Sequence, residues 1–251
     1  MAIVISIANQ KGGVGKTTSS IELGACFQKK GYKVLLIDLD QQANLSRYTS
    51  ANVSADGIYN VLKGEADIAE AIQHTNEFDV LSASEELSKA DKEFGGYRDA
   101  LILKKSLRPI NDIYDIILID NNPARNRLLD MTYIASDYII IPAEAEEGSI
   151  YGIRAIFKDL KAFKEDGFSD AEILGVILTK VEKTGMHEYG EEQIKEVLSS
   201  EDSDAFVMKV RKSIVANEVK SEGTSMQAGK KLSKPAADYR IIADEILKRI
   251  V

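Results

Sequence analysis

The densest chemistry in the chain lies in residues 9–18, Asn9-Gln10-Lys11-Gly12-Gly13-Val14-Gly15-Lys16-Thr17-Thr18, directly behind the apolar run Ile3 to Ala8. Glycines here let backbone N–H groups converge on an anion without side chains in the way. The helix expected from Thr17 to about Lys29 turns its positive dipole end toward the same point. Lys16 brings charge to terminal phosphates, and the Thr17 hydroxyl is placed to ligate Mg²⁺. Gly12, Gly13, Val14, Gly15 and Thr18 complete the cradle. The stretch implies binding of a nucleoside triphosphate. It also departs from the strict phosphate-loop pattern, because Gln10 stands where a glycine is required and Lys11 adds a second lysine. Lys11 has two readings. It is either a solvated loop lysine beside an anion site, or a group that reaches across a dimer interface to a partner's nucleotide, as an arginine finger does.

Three carboxylates extend this chemistry. Asp38 and Asp40 end the apolar run Val34 to Leu39, and the period-two alternation of a strand points both to one side. Asp120 ends another apolar run, where a carboxylate costs desolvation energy unless it has a polar task. Holding Mg²⁺, directly or through water, is such a task; a strand-end turn residue is the alternative. Asp38 is read as support for Mg²⁺ or Thr17, against the simpler reading of Asp38 and Asp40 as loop-capping acids near Asn44.

The elements that must carry these groups alternate. Strands are predicted near Ile3–Ala8, Lys33–Asp38, Asp79–Leu81, Asp115–Asp120, Tyr138–Pro142, Ile173–Thr179 and Phe206–Val210. Most are continuous apolar runs, as in strands buried on both faces. Helical patterns cover Thr17–Lys29, Arg98–Leu107, Arg125–Ala135, Ile150–Glu165, Glu188–Leu198 and Ala236–Ile250. Shorter pieces cover Ile58–Leu62, Ile68–Ile72 and Ser84–Lys92 within the irregular stretch 50–110. The pattern predicts an α/β fold, a doubly wound, mostly parallel sheet flanked by helices, with residues 1–251 as a single domain. Ligands in such sheets bind beyond the carboxyl ends of strands, where Lys11–Thr17, Asp38–Asp40, Asp120 and Thr179 all fall.

Composition narrows the classes. Hydrophobic residues make up 44% of the chain, enough for a large core. The one cysteine, Cys26, excludes a disulfide framework and counts against a nitrogenase-iron-protein reading, which needs cysteines for an iron–sulfur cluster; its place in a helical apolar pattern reads as core. His74 and His187 lie in polar surroundings and suggest no metal site. No run approaches the ~18 apolar residues of a membrane span, and no secretory signal is read, so a cytoplasmic location is expected. The net charge of −8 argues against general affinity for DNA, but residues 209–240 hold eight basic and three acidic residues. That segment is either a solvated surface or a footprint for the phosphate backbone, with Arg211, Lys212, Lys220, Lys230, Lys231 and Lys234 as its candidates. No helix-turn-helix pattern suggests base-specific readout.

Lys11-Gly12-Gly13-Val14-Gly15-Lys16-Thr17-Thr18 resembles the deviant Walker A motif of the ParA/MinD/Soj ATPases. Val34 to Asn44 resembles the family's Asp-x-Asp-Pro-Gln-Gly-Asn motif, and Tyr114 to Asp120 its Walker B strand. Ile214 to Glu218 and Lys234 to Leu247 are similar to the closing segments of partition ATPases. The likeness implies a P-loop ATPase that binds ATP and Mg²⁺ and pairs into an ATP-dependent homodimer. It implies non-specific DNA binding on the nucleoid and stimulation by a ParB-like centromere-binding partner. By the same likeness Asp40 matches the water-positioning residue, Lys11 and Lys16 join it as catalytic, and the adenine site is built after Thr179 and around Val210, Arg211 and Lys212. Two departures touch the switch loops. Gln41 and Ala43 replace a usual Pro and Gly, and Asn121-Asn122-Pro123 replaces a small residue followed by Pro-Pro. Two other functions compete. A MinD-like membrane-cycling ATPase would carry an added basic amphipathic tail, whereas Ala236–Ile250 reads as the fold's terminal helix. A dethiobiotin-synthetase-like ligase would need a substrate pocket in place of the dimer face, which Lys11 disfavours.

Overall fold

The computed structural model describes residues 1–182, 184–213, 215, 222–229 and 232–250. Its strands are β1 (Ile3–Ile7), β2 (Val34–Leu39), β3 (Gln73–His74), β4 (Asp79–Leu81), β5 (Ile116–Asn121), β6 (Tyr138–Ala143), β7 (Glu172–Val181) and β8 (Phe206–Arg211). They form one sheet in the order β3-β4-β2-β5-β1-β6-β7-β8. Every neighbouring pair is parallel except β3 with β4. Each strand predicted from its apolar run is present. The unpredicted β3 is two residues long, too short for an alternating pattern to register, and it sits at the sheet edge.

Helices cover both faces. The long ones are α1 (Lys16–Lys29), α7 (Arg127–Ala135), α8 (Glu147–Glu165), α9 (Gly185–Ser200) and α10 (Lys234–Ile250). A short α2 (Asn44–Tyr48) follows β2, and the short pieces α3 (Ile58–Lys63), α4 (Ile68–Ala71), α5 (Ala90–Glu93) and α6 (Ile102–Ser106) fall in the irregular stretch. Their starts follow capping chemistry. The Asn126 side chain accepts from Leu129 N, so α7 opens at Arg127 rather than Arg125. Thr184 accepts from His187 N, so α9 opens at Gly185, ahead of the predicted Glu188. The predicted helix over 98–107 splits into a 3₁₀ turn, Tyr97–Leu101, followed by α6.

The core divides at the sheet because neighbouring strand residues point to opposite faces. Leu35, Ile37, Ile117 and Ile119 pack on one side with the helices of the 58–110 stretch. Leu36, Ile116 and Leu118 pack on the other, against Leu23 and Phe27 of α1 and Tyr239, Ile242 and Ile246 of α10. A third cluster packs Ile153 and Ile156 of α8 and Ile194 of α9 onto β6 and β7. At the usual ~25 cal/mol per Å² of apolar surface, these faces supply the main force that sets the helices on the sheet. The outcome for the site is that β1, β2, β5, β7 and β8 all end on one rim.

Candidate functional site

The rim opens at the turn after β1. Gly13 and Gly15 have φ of +77° and +93°, and a side chain at Gly15 would meet Thr179 Cγ2 at 3.3 Å. The turn therefore needs glycine at 15 for conformation and for room. Gly15 is also the N-cap of α1, with no side-chain cap and no acid in the first turn. The first N–H groups of a 14-residue helix are thus left for an anion from outside. The turn is braced from several sides. Lys16 Nζ donates to Lys11 O at 2.9 Å, and Lys180 Nζ donates to Gly13 O at 2.8 Å. The Thr179 hydroxyl lies 2.8 Å from Val14 O. Thr179, expected beside adenine, thus holds the phosphate turn itself.

Lys16 is buried, and its pKa is lowered by desolvation, against the opposing pull of Asp120 and Asp40. Asp38 and Asp120 are neighbours across β2 and β5, and both are fully buried. Asp38 accepts from Ser46 N at 2.8 Å, from Ser46 Oγ at 2.7 Å and from Asp40 N at 3.1 Å. Asp120 Oδ1 accepts from Ser20 Oγ at 3.1 Å, and the neighbouring Thr17 side chain also favours the charged carboxylate. Asp120 Oδ2 is buried without a hydrogen-bond partner. Burial, then the charge of Asp38, raises the Asp120 pKa well above the carboxylate range; burial raises Asp38 too. Two buried carboxylates with one oxygen unpartnered, beside a threonine at the helix start, fit a cation. Among the described residues no three His, Cys, Asp or Glu side chains gather into a metal cage.

Asp40 lines the cleft, and its Oδ1 accepts from Gln42 N at 3.0 Å. The turn that carries it closes through Ala43 N to Asp40 O at 2.7 Å, with Ala43 at φ +52°. Asn121 points inward, its amide 2.8 Å from Ser6 Oγ and 3.2 Å from Ile7 O, and so ties β5 to β1. Asn122, Pro123, Ala124 and Arg125 line the cleft instead.

Lys11 is partly exposed but not free. Its ammonium pairs with Glu146, the residue that precedes α8. Nothing in the sequence marked Glu146, since the pair joins residues far apart in the chain.

The far end of the cleft is lined by Val181, Val210, Arg211, Lys212, Met226, Pro235 and Tyr239. Arg211 lies here as expected but is committed elsewhere. Its Nε donates to Asp238 Oδ2 at 2.9 Å and its Nη2 to Asp238 Oδ1 at 2.6 Å and Lys234 O at 3.2 Å. Lys212 pairs with Glu182 at 3.3 Å, and Lys209 with Glu191 at 2.5 Å. Of the candidate DNA-contacting residues, Arg211 and Lys212 are therefore neutralised by carboxylates of their own chain. Lys234 is exposed at the start of α10, and Lys220, Lys230 and Lys231 lie outside the described residues. Met226, Pro235 and Tyr239 were missed. They meet the cleft only through the fold, and their local sequence carries no nucleotide motif.

An AAA-domain family profile matches residues 2–173. The sporulation initiation inhibitor protein Soj of Bacillus subtilis is 30% identical, over 98% of this chain and 98% of its own length. The chromosome-partitioning ATPase Soj of Treponema pallidum is 31% identical over 99% of this chain and 98% of its own. Among solved structures, a plasmid partition protein from Borrelia burgdorferi bound to AMPPNP superposes with a TM-score of 0.84 at 27% identity, covering 100% of both chains.

Proposed function

This chain belongs to the AAA-domain ATPase family of the Soj and ParA partition proteins, and from that premise we propose that it segregates DNA by cycling between an ATP-bound dimer and a free monomer. The observation that supports this most is the P-loop with two lysines, set beside the buried pair Asp38 and Asp120. In this reading ATP lies along the cleft with its phosphates on the N–H groups of residues 12–18. Lys16 neutralises the terminal phosphates. Thr17 and Asp120 hold Mg²⁺, with Asp38 behind them, and the ion when bound neutralises charge that develops on the phosphates. Asp40 positions the attacking water, because it stands at the cleft on a turn anchored to Asp38. Lys11 leaves Glu146 to meet the nucleotide of a second copy, so the dimer forms only when nucleotide replaces the lost ion pair. The dimer then binds DNA without sequence preference, and a ParB-like partner accelerates hydrolysis and release. Two Soj relatives are named for chromosome partitioning and one solved neighbour for plasmid partition, which favours DNA over membrane as the surface of the cycle.

The test measures light scattering and phosphate release with ATP and Mg²⁺. Wild type dimerises and turns over slowly. Asp40→Ala dimerises and stays locked, while Lys11→Ala binds nucleotide but remains monomeric. A Lys11→Ala protein that dimerises as well as wild type removes the cross-dimer role. Wild-type turnover by Asp40→Ala removes the water-positioning role.

A further inference from the structure

One buried acid takes no part in the chemistry above. Glu22, in the middle of α1, is 1% exposed. Its Oε1 accepts from Met226 N at 2.7 Å, and its Oε2 lies 3.2 Å from Gln227 Nε2. Gln227 in turn donates to Ala236 O at 2.9 Å and accepts from Arg240 Nε at 2.8 Å, so the same contact reaches α10. One turn closer to the cleft, Ser19 Oγ and Tyr239 OH are 2.9 Å apart. Lys16, Ser19 and Glu22 are spaced three residues apart, which places them along one side of the helix. A single stiff helix therefore ends in the phosphate cradle and, about 9 Å along its axis at 1.5 Å per residue, anchors the segment that lines the far end of the cleft.

We propose that Glu22 is a positioning residue that fixes the nucleobase wall, Met226 and Tyr239, at a set distance from the phosphates, so that the site recognises the whole nucleotide rather than its polyphosphate. This rests on the reading of the cleft as an ATP site. The segment 222–229 is packed as well as bonded: Ser225, Met226 and Gln227 are buried, Met226 lies in the core cluster of α1 and α10, Ser225 bonds to Glu77 and Gln227 to α10. Glu22 adds the hydrogen bond that ties its backbone, through Met226 N, to the helix that starts at the phosphate cradle. A carboxylate is suited to the task because it accepts a backbone N–H on one oxygen and a side-chain amide on the other, and such charge-assisted bonds are about twice as strong as neutral ones.

The experiment compares the dissociation constants of Mg²⁺–ATP and of Mg²⁺–tripolyphosphate, which has no base. Glu22→Ala should weaken ATP about tenfold and leave tripolyphosphate within about twofold, as expected when a buried hydrogen-bonded anchor is lost at one end of a site. At saturating ATP its kcat should stay near wild type while KM rises. Glu22→Gln keeps one acceptor and should fall between. Met226→Ala removes the wall without touching α1 and should show the same ATP-selective loss, so the outcome is readable even if Glu22→Ala folds poorly. Equal weakening of both ligands in Glu22→Gln, or no weakening in Met226→Ala, overturns the proposal. A wild-type protein that binds no tripolyphosphate overturns the underlying reading of the phosphate cradle instead.

Discussion

Ala43 holds a left-handed backbone conformation, φ +52°, that alanine adopts only at a cost of about 1–2 kcal/mol. It is also buried, its methyl part of the core beside Leu39. The turn it closes is the one that carries Asp40. Replacement by glycine relieves the strain, but it forfeits about 0.8 kcal/mol of methyl burial and about 0.4–1 kcal/mol by loosening the unfolded chain. These effects nearly cancel, so Ala43→Gly should leave the urea midpoint close to wild type. Ala43→Val has no such compensation, because a β-branched residue resists this conformation, and it should lower the midpoint clearly. If valine is tolerated and glycine is not, strain at this turn is not the controlling quantity. This position also shows what was legible. The departure from the family's glycine could be read from the sequence, but its positive φ could not, since only the closed turn imposes it. Asp38, Asp120, Lys16 and Thr17 were legible because apolar runs end at them or glycines surround them. Ser20, Ser46 and Glu146 were not, because their partners are brought in by the sheet.

At the scale of elements, β8 and α10 are clasped by Arg211 and Asp238. The guanidinium bonds to both carboxylate oxygens, and Arg211 N donates to Oδ2 at 3.0 Å. A bidentate pair of this kind fixes orientation as well as adding attraction. Arg211→Ala and Asp238→Ala should therefore each lower the melting temperature, and the double variant should lose less than the two losses added together. If Arg211→Ala weakens DNA binding with no change in melting, the arginine is free for phosphate and the clasp is unimportant. Charge counting along residues 209–240 could not separate these cases. It counts Asp238 within the run but not its clasp on Arg211, and it misses Glu182 and Glu191, which the fold brings in from outside the run. The strands were legible because burial on both faces leaves continuous apolar runs. Helix starts shifted by two or three residues, because capping by Asn126 and Thr184 decides them, not the apolar period.

For the whole molecule, the decisive feature is that β2 and β5 bring Asp38 and Asp120 side by side in the interior. Both carboxyls have pKa values raised by burial, so without a cation the folded chain holds protons more tightly than the unfolded chain does. Stability from this source is present at low pH and is lost as pH rises from the ordinary carboxylate range, about 4, through the raised folded values. The ligand-free protein should accordingly lose melting temperature at this site between pH 5 and pH 8, by about 2–4 °C for each kcal/mol. Asp120→Asn, which carries no charge, should melt above wild type at pH 8 in the absence of nucleotide and Mg²⁺, with the gap closing toward pH 5. A gap independent of pH would show that the pair is not charged against itself. The same juxtaposition bears on how long the protein survives in a cell. If a cation and nucleotide relieve these carboxylates beyond what Ser46, Ser20 and Lys16 already do, the chain would expose more of its unfolded form to proteases when both are scarce. Its abundance would then follow the energy state of the cell with no dedicated degradation signal.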